Sequence, residues 1–433
     1  MGGRAGIIVT GTEVLTGRVA DRNGPWLAEE LRRVGVDVAQ IVTVGDRPDD
    51  LRNSLRFLAE SGLDLVITSG GLGPTADDLT AQVVGDFQGR PSRVDTELER
   101  HIAGIVDRLV ADRGWHLDPA ATAAGNRKQA LVPLGASVLP PTGTAPGLVV
   151  PPAAGGSGPP VVVLPGPPRE LQSMWPAALA DPVVQAAVAG AGELRQATIR
   201  LWGTPESELA ATLRKHGDAL AGLEITTCLR DGELEIVTRY PPAAQAGYET
   251  FQRLVVAAHR DTVFSTDSRT VDDLVAEALL ERELTVATAE SCTGGLLAGR
   301  LTARAGSSAY VLGGFVTYSN EAKHDLVGVP AELIDRVGAV SAEVAQAMAS
   351  GARAALGADI GVGITGVAGP GGGSAEKPVG LVHLCVASGA ASVARRVRLP
   401  GNRSDVRARA VVVAMHMFRE LLTGAPGTRP AQG

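Results

Sequence analysis

The sequence predicts an α/β protein: two α/β domains with largely parallel sheets, joined by a small α+β middle domain. Three observations predict it. Short apolar runs rich in Val, Ile and Ala alternate with amphipathic stretches of helical period in both large regions, the order that builds a parallel sheet covered by helices. Gly-rich turns follow several of the apolar runs. Aromatic residues make up only 3% of the 433 positions while hydrophobic residues make up 45%, so the core is filled by aliphatic side chains, as in buried sheets. At about 150 residues per domain, the length allows two or three domains.

From the N-terminus, AGIIVT reads as a strand, GPWLAEELRRVG as a helix, VDVAQIVTVG as a strand, DDLRNSLRFLAES as a helix and LDLVITSGG as a strand. The Gly-rich segment Gly70–Pro74 lies between that strand and a helix, and helical segments continue to about Arg113. GASVLPPTGTAPGLVV and PPVVVLPGPP read as strands around an exposed hairpin tip, PPAAGGSGPP. These elements define a first domain over 1–178. Residues 179–265 form the α+β unit: ELRQATIRLWG, GLEITTCLRDGELEIVTRY with its Asp-Gly hairpin signal, and the helix AAQAGYETFQRLVVAAHR. This unit carries no catalytic constellation and reads as a linker or dimerisation module.

The third domain, 266–422, alternates again. VDDLVAEALLERE is a helix, LTVATAE a strand, CTGGLLAGRLTARAG a helix and SSAYVLGGFVTYS a strand. AEVAQAMASGARAALG is a helix, ADIGVGITG and VGLVHLCVAS are strands, and SDVRARAVVVAMHMFRELL closes the domain as a helix. The tail, 423–433, is expected to be disordered.

Bulk chemistry narrows the function. A net charge of −7 argues against a nucleic-acid partner, which an electrostatic binder would meet with a basic face. The start, MGGRAGIIVTGTEV, has no long apolar run, and no stretch reaches about 18 uninterrupted apolar residues, so neither a signal peptide nor a membrane span is expected and the location is expected to be cytoplasmic. Cys228, Cys292 and Cys385 form no CxxC pair, which suits a reducing compartment and offers no metal cluster. Of 40 basic residues only Lys128, Lys215, Lys323 and Lys377 are lysine. Arginine stays protonated in proteins whereas lysine can be deprotonated, so a retained lysine draws notice.

In the first domain the sharp motif is GGLGPTADDLT. Gly70, Gly71 and Gly73 let backbone approach a ligand, and the helix start behind Thr75 favours an anion. Asp77 and Asp78 offer hard oxygen ligands to a divalent metal bridging phosphates, or simply complement the helix dipole. Glu13, Asp21, Asn23 and Asp46 follow predicted strands, as do Pro165 and Gly166 in PGPPRE, where open α/β sheets bind ligands.

In the third domain three constellations sit at strand ends. AESCTGG places Ser291 after a strand, either as an exposed nucleophile beside a helix N-terminus or as an ordinary helix cap. Cys292 is a rival nucleophile or a small buried hydrophobe. VTYSNEAKHDLVG supplies Tyr318 and Lys323. A serine needs a base, and a buried lysine with a lowered pKa can act as one; His324 is the rival. GITGVAGPGGGSAEKPVG, with Thr365, Gly366, Gly369 and Gly371, is a loop that can cradle a phosphate or a planar ring, or a flexible surface loop.

GTEVLTGRVADRN, GGLGPTADDLT, GTAPG and LPGPPREL resemble the N-terminal half of CinA proteins, which is similar to molybdopterin-binding domains. SCTGG, GGFVTYSNEAK, ITGVAGPGGG, KPVG and Arg403–Ala410 resemble the C-terminal CinA domain, whose members are similar to nicotinamide-nucleotide amidase. The resemblance covers nearly the whole chain. It implies hydrolysis of nicotinamide mononucleotide to nicotinic acid mononucleotide and ammonia with no cofactor, Ser291 acting as nucleophile and Tyr318 and Lys323 activating it. Ala289, Thr293, Gly294, Thr365 and the Gly loop are expected around the substrate, with Arg403 or Arg407 on its phosphate. For the N-terminal half it implies an ADP-ribose pyrophosphatase using a divalent metal (Mg, Mn or Co) at Asp77 and Asp78, helped by K+. There the first motif departs from many members, carrying Thr12 where they carry Asp. The resemblance further implies a homodimer. A non-catalytic nucleotide-binding scaffold, or a pterin-nucleotide-binding protein, is the alternative.

Overall fold

The computed structural model describes residues 3–424 apart from Ala191 and Asp231; the tail expected to be disordered lies almost wholly outside these residues. The chain forms two compact units, 1–195 and 196–433.

The first unit contains β1 (Arg4–Thr10), α1 (Thr12–Leu15), α2 (Asn23–Arg33), β2 (Asp37–Val44), α3 (Pro48–Glu60), β3 (Leu65–Ser69), α4 (Thr80–Phe87), β4 (Ser92–Val94), α5 (Thr96–Arg113), α6 (Pro119–Gln129), β5 (Leu131–Pro133), β6 (Ser137–Leu139), β7 (Gly147–Val150), β8 (Val161–Leu164), α7 (Pro168–Ala180) and α8 (Pro182–Val188). Its main sheet runs β2-β1-β3-β8-β7-β6. The first four strands are parallel, and the β8–β7 and β7–β6 pairs are antiparallel. Successive residues of β1 point to opposite faces, and both faces are buried. Ile7 packs with Leu27, Leu31 and Trp175, and Ile8 with Leu51, Leu55 and Val84. That double burial is why the strands read as continuous apolar runs.

The second unit contains β9 (Arg195–Trp202), α9 (Glu206–Lys215), β10 (Glu224–Arg230), β11 (Glu233–Tyr240), α10 (Gln245–Ala258), β12 (Val263–Ser265), α11 (Val271–Glu281), β13 (Val286–Glu290), α12 (Leu296–Thr302), β14 (Val311–Val316), α13 (Asn320–Val327), α14 (Ala331–Val337), α15 (Ala342–Leu356), β15 (Ile360–Gly366), β16 (Leu381–Ala387), β17 (Ser392–Arg398) and α16 (Arg403–Thr423). A small sheet, β10-β11-β9-β12, packs on α10 through Ile199, Ile236 and Phe251. The larger sheet runs β14-β13-β15-β16-β17. Its pairs are parallel around β13 and antiparallel from β15 onward. The 179–265 stretch read as one module is divided by the boundary between units, since α8 packs with the first unit through Val184.

The small sheet joins the larger core through α16. His416 Nε2 and Glu233 Oε1 lie 2.6 Å apart, and the imidazole stacks on Trp202 with ring centres 4.2 Å apart. Phe264 meets the same ring edge-on. Burial pushes the His416 pKa down.

One close approach positions the candidate site. A Cβ on Gly363 would lie 2.0 Å from the Ala345 carbonyl, so only glycine lets α15 settle this near β15. Among the described residues no helix is long and apolar enough to cross a membrane.

Candidate active site

Strand β13 of the larger sheet ends at Glu290. Ser291 follows it, and the Ser291 N–H donates to the Ile364 carbonyl on β15 at 2.9 Å. The chain then turns through Cys292–Gly295, with φ +60° at Gly294 and +92° at Gly295, before α12 begins at Leu296. Ser291 is therefore not a helix cap. The N-cap residue is Gly295, and it has no side chain with which to cap. The capping acceptor is Glu290, a residue that sequence reasoning passed over. Its fully buried carboxylate accepts from the N–H groups of Gly295, Leu297 and Ala298 at 3.1, 3.0 and 2.8 Å. The signal was present: an acid at the end of an apolar strand, directly before the serine.

Freed from capping, Ser291 meets Lys323. Lys323 Nζ lies 3.3 Å from Ser291 Oγ and also donates to the carbonyls of Thr317, Tyr318 and Ser319 at 3.0, 3.2 and 3.3 Å. Lys323 is 1% exposed, and burial pushes its pKa below the ordinary lysine value. Ser319 caps α13 by accepting from Ala322 N at 3.1 Å. The helix that carries the lysine is thus pinned at the strand end that supplies the carbonyls.

The rivals are Cys292 as nucleophile and His324 as base. Burial raises the Cys292 thiol pKa to about 11. His324 Nδ1 lies 3.0 Å from the Val329 carbonyl. Tyr318 is 60% exposed, and its hydroxyl accepts from Arg403 Nη2 at 2.9 Å. Arg403 also donates from Nη1 to Gly369 O at 2.9 Å. Arg407 donates instead to the carbonyls of Cys292 and Thr293 at 3.1 and 2.9 Å.

Of the expected substrate contacts, Ala289 packs in the core beneath α15. The Thr293 hydroxyl is buried without a partner. Gly294 lies against Arg407, and Gly366 approaches the Leu381 carbonyl. The Thr365 hydroxyl donates to Ala339 O at 2.8 Å, so its proton is committed within the protein. Gly371 has open space where a Cβ would stand.

The first unit also gathers its motifs at strand ends. Asn23 Nδ2 donates to Ser69 Oγ and Gly166 O at 2.8 and 2.7 Å, while its Oδ1 is buried without a partner. Ser69 Oγ reaches the Pro165 carbonyl at 3.5 Å. Gly70 and Gly71 fold tightly over Thr10 and Thr80, and Glu13 lies against Gly11. Asp21, one residue before the N-cap position of α2, accepts from Asn23 N and Gly24 N at 2.9 and 3.0 Å. Thr12 donates to Asp46 through N and Oγ1 at 2.9 and 2.8 Å. Asp46 and Asp77 line one cleft. Thr75 Oγ1 stands 2.5 Å from both Asp77 Oδ1 and Asp78 Oδ2, and this bond holds the Asp77 carboxyl below its usual pKa. Gly73 lies against Asp78. Among the described residues no three His, Cys, Asp or Glu side chains converge as a metal-holding group.

Comparison with known proteins accords with this layout. A family model described as the CinA C-terminal domain matches residues 268–422, and one described as a probable molybdopterin binding domain matches residues 6–185. A CinA-like protein of Mycolicibacterium vanbaalenii is 58% identical over 428 residues, covering 98% of this chain and 100% of the relative. A CinA-like protein of Mycobacterium marinum is 56% identical over 427 residues, covering 97% of this chain and 99% of the relative. The crystal structure of competence/damage inducible protein CihA from Agrobacterium tumefaciens is 44% identical, covering 37% of this chain and 99% of that one, with a TM-score of 0.34.

Proposed function

The chain belongs to the CinA family, and from that premise we propose that its C-terminal region is a Ser–Lys amidase that converts nicotinamide mononucleotide to nicotinic acid mononucleotide and ammonia. The observation that carries this reading is the buried Lys323 Nζ at 3.3 Å from Ser291 Oγ. A neutral amine has two N–H donors and one lone pair. The three carbonyls of 317–319 share those two donors, and the lone pair is left for the serine proton.

Ser291 Oγ attacks the amide carbon as Lys323 takes its proton. The oxyanion that forms needs donors. In the turn after Ser291, the peptide unit that carries the Thr293 N–H is fixed by Arg407 from its carbonyl side, at Cys292 O. The Lys323 ammonium then returns its proton to the departing nitrogen. Ammonia leaves, and an ester to Ser291 remains. Water, deprotonated by Lys323, cleaves that ester. Arg403 is assigned to the nucleotide phosphate because it is exposed, while the half-buried Arg407 holds the backbone of the turn after Ser291.

The test is ammonia release from nicotinamide mononucleotide by the purified full chain. Ser291→Ala and Lys323→Ala should each lose about 10⁴-fold in kcat, and a chelator should leave wild-type turnover intact. Turnover surviving in either variant at near-wild-type rate would sink the dyad. Binding without any turnover would favour the scaffold reading.

A second activity, metal-dependent hydrolysis of ADP-ribose, is proposed for the N-terminal region. Its support is the Thr75–Asp77–Asp78 oxygen cluster, where one hydroxyl proton serves two carboxylate contacts. Asp77 and Asp78 would hold a hard divalent cation, which supplies charge neutralisation at a pyrophosphate. Loss of ADP-ribose cleavage on chelation, with ammonia release unaffected, would separate the two halves.

A further inference from the structure

Lys377, one of the four lysines, has a defined contact and no part in the dyad. Lys377 lies near the end of the Gly-rich segment between β15 and β16. That segment is held at two points. Near its start Arg403 Nη1 donates to Gly369 O at 2.9 Å. Near its end Lys377 Nζ donates to the Val337 carbonyl, the last residue of α14, at 2.8 Å. Residues 370–376 between these points are exposed. The turn presenting the lysine is locked on itself, since Ser374 N donates to Lys377 O and Lys377 N to Ser374 Oγ, both at 3.0 Å.

The receiving segment is equally specific. Three successive carbonyls each accept from a side chain: Val337 from Lys377, Gly338 from Ser341 Oγ at 3.1 Å, and Ala339 from Thr365 Oγ1 at 2.8 Å. Thr365 directly follows Ile364, whose carbonyl receives the Ser291 N–H. A bonded path therefore runs from the nucleophile through β15 to the 337–339 segment and on to Lys377. Gly338 has φ +75°, and a Cβ there would stand 2.5 Å from Lys377 Nζ. A side chain there would crowd the ammonium and strain the backbone at this φ. A compact ammonium on a flexible stem docks end-on at one carbonyl, which the wide guanidinium fork does less well. This chain uses arginine for nearly all its other positive charges, and here it uses lysine.

We propose that Lys377 is a positioning residue that latches the Gly-rich loop to the 337–339 segment and so holds the substrate loop ready beside Ser291. It touches neither Ser291 nor Lys323. Its effect is to reduce the ordering that substrate must otherwise impose on the loop. The kinetic side of this inference rests on the amidase reading; the structural side does not.

The experiment uses full-length wild type, Lys377→Ala and Lys377→Arg, with nicotinamide mononucleotide as substrate. Ammonia release gives KM and kcat across pH, and hydrogen exchange reports on 366–380 and 337–341. Lys377→Ala should raise KM about tenfold, as loss of a charged hydrogen bond would. It should leave kcat within about twofold and the pH profile unmoved, because binding rather than chemistry is affected. Lys377→Arg should fall between the two. Both segments should lose protection together in Lys377→Ala. Unchanged KM, a fall in kcat with a displaced pH profile, or unchanged protection of the 337–341 segment would each overturn the latch. If wild type releases no ammonia, the amidase reading fails, while the joint loss or retention of protection still decides the latch.

Discussion

Arg407 grips the chain immediately after Ser291, donating from Nε to the Cys292 carbonyl at 3.1 Å and from Nη2 to the Thr293 carbonyl at 2.9 Å. The fork fixes two consecutive peptide units, and with them the direction of their N–H groups. Arg403, four residues earlier on the same face of α16, reaches Tyr318 Oη and Gly369 O instead. Two arginines at helical spacing thus serve different ends of the site.

Substituting them should separate binding from chemistry. Arg407→Lys breaks the fork and should lower kcat about 100-fold through misplacement of the nucleophile turn, with little change in KM. Arg403→Ala should raise KM with kcat largely kept. Steady-state kinetics on both variants reads the difference, and equal patterns would refute the division of roles.

Only the neutral Lys323 amine accepts a proton. Activity should therefore rise with pH as the ammonium is lost. Because burial lowers the Lys323 pKa from 10.5, the rising limb of kcat/KM should lie below that of a free lysine. A profile whose rise coincides with free lysine, or that falls over this range, would contradict the assignment.

Cys292 should be dispensable. With its thiol raised to about 11 it carries almost no thiolate near neutrality. Cys292→Ala should keep activity within severalfold of wild type, and alkylation followed by mass spectrometry should label the exposed Cys228 ahead of the buried Cys292 and Cys385. A dead Cys292→Ala beside a live Ser291→Ala would transfer the nucleophile to the thiol.

Glu290 should matter for stability before it matters for turnover. Glu290→Ala would leave the N–H groups of Gly295, Leu297 and Ala298 without their acceptor and should cost about 2–4 kcal/mol. Denaturant unfolding of the 196–433 unit measures this, and a loss below about 0.5 kcal/mol would show that the cap is replaceable.

The alternation of strands and helices was legible because most strands are buried on both faces or carry clear apolar runs. Helix α6 was not: Pro119–Gln129 is Ala-rich with no apolar stripe, and only Asn126 and Gln129 are buried. The long stretch GASVLPPTGTAPGLVV divides into β6 and β7, because the PPTGTAPG turn lets the chain pair back on itself. At the site, residue types pointed to Ser291 and Lys323, but a contact across 32 positions leaves no trace in spacing. The helix-cap reading of Ser291 failed on where α12 begins, since two glycines at positive φ move that start beyond the reach of Ser291. The separate tasks of Arg403 and Arg407 depend on which carbonyls lie beneath α16, which local sequence does not encode.

The His416–Glu233 contact and the stacked Trp202 bear on how the protein can be dissected. A fragment cut at residue 266 would carry α16 without β9, β11 and β12, stripping His416 of its stacking partner, its carboxylate and the Phe264 edge in one stroke. An imidazole side evolved for a dry joint would then face water, next to Arg419, whose guanidinium packs over Phe264. In this chain the excision point that respects the covalent motif pattern is not the one that respects the solvent boundary.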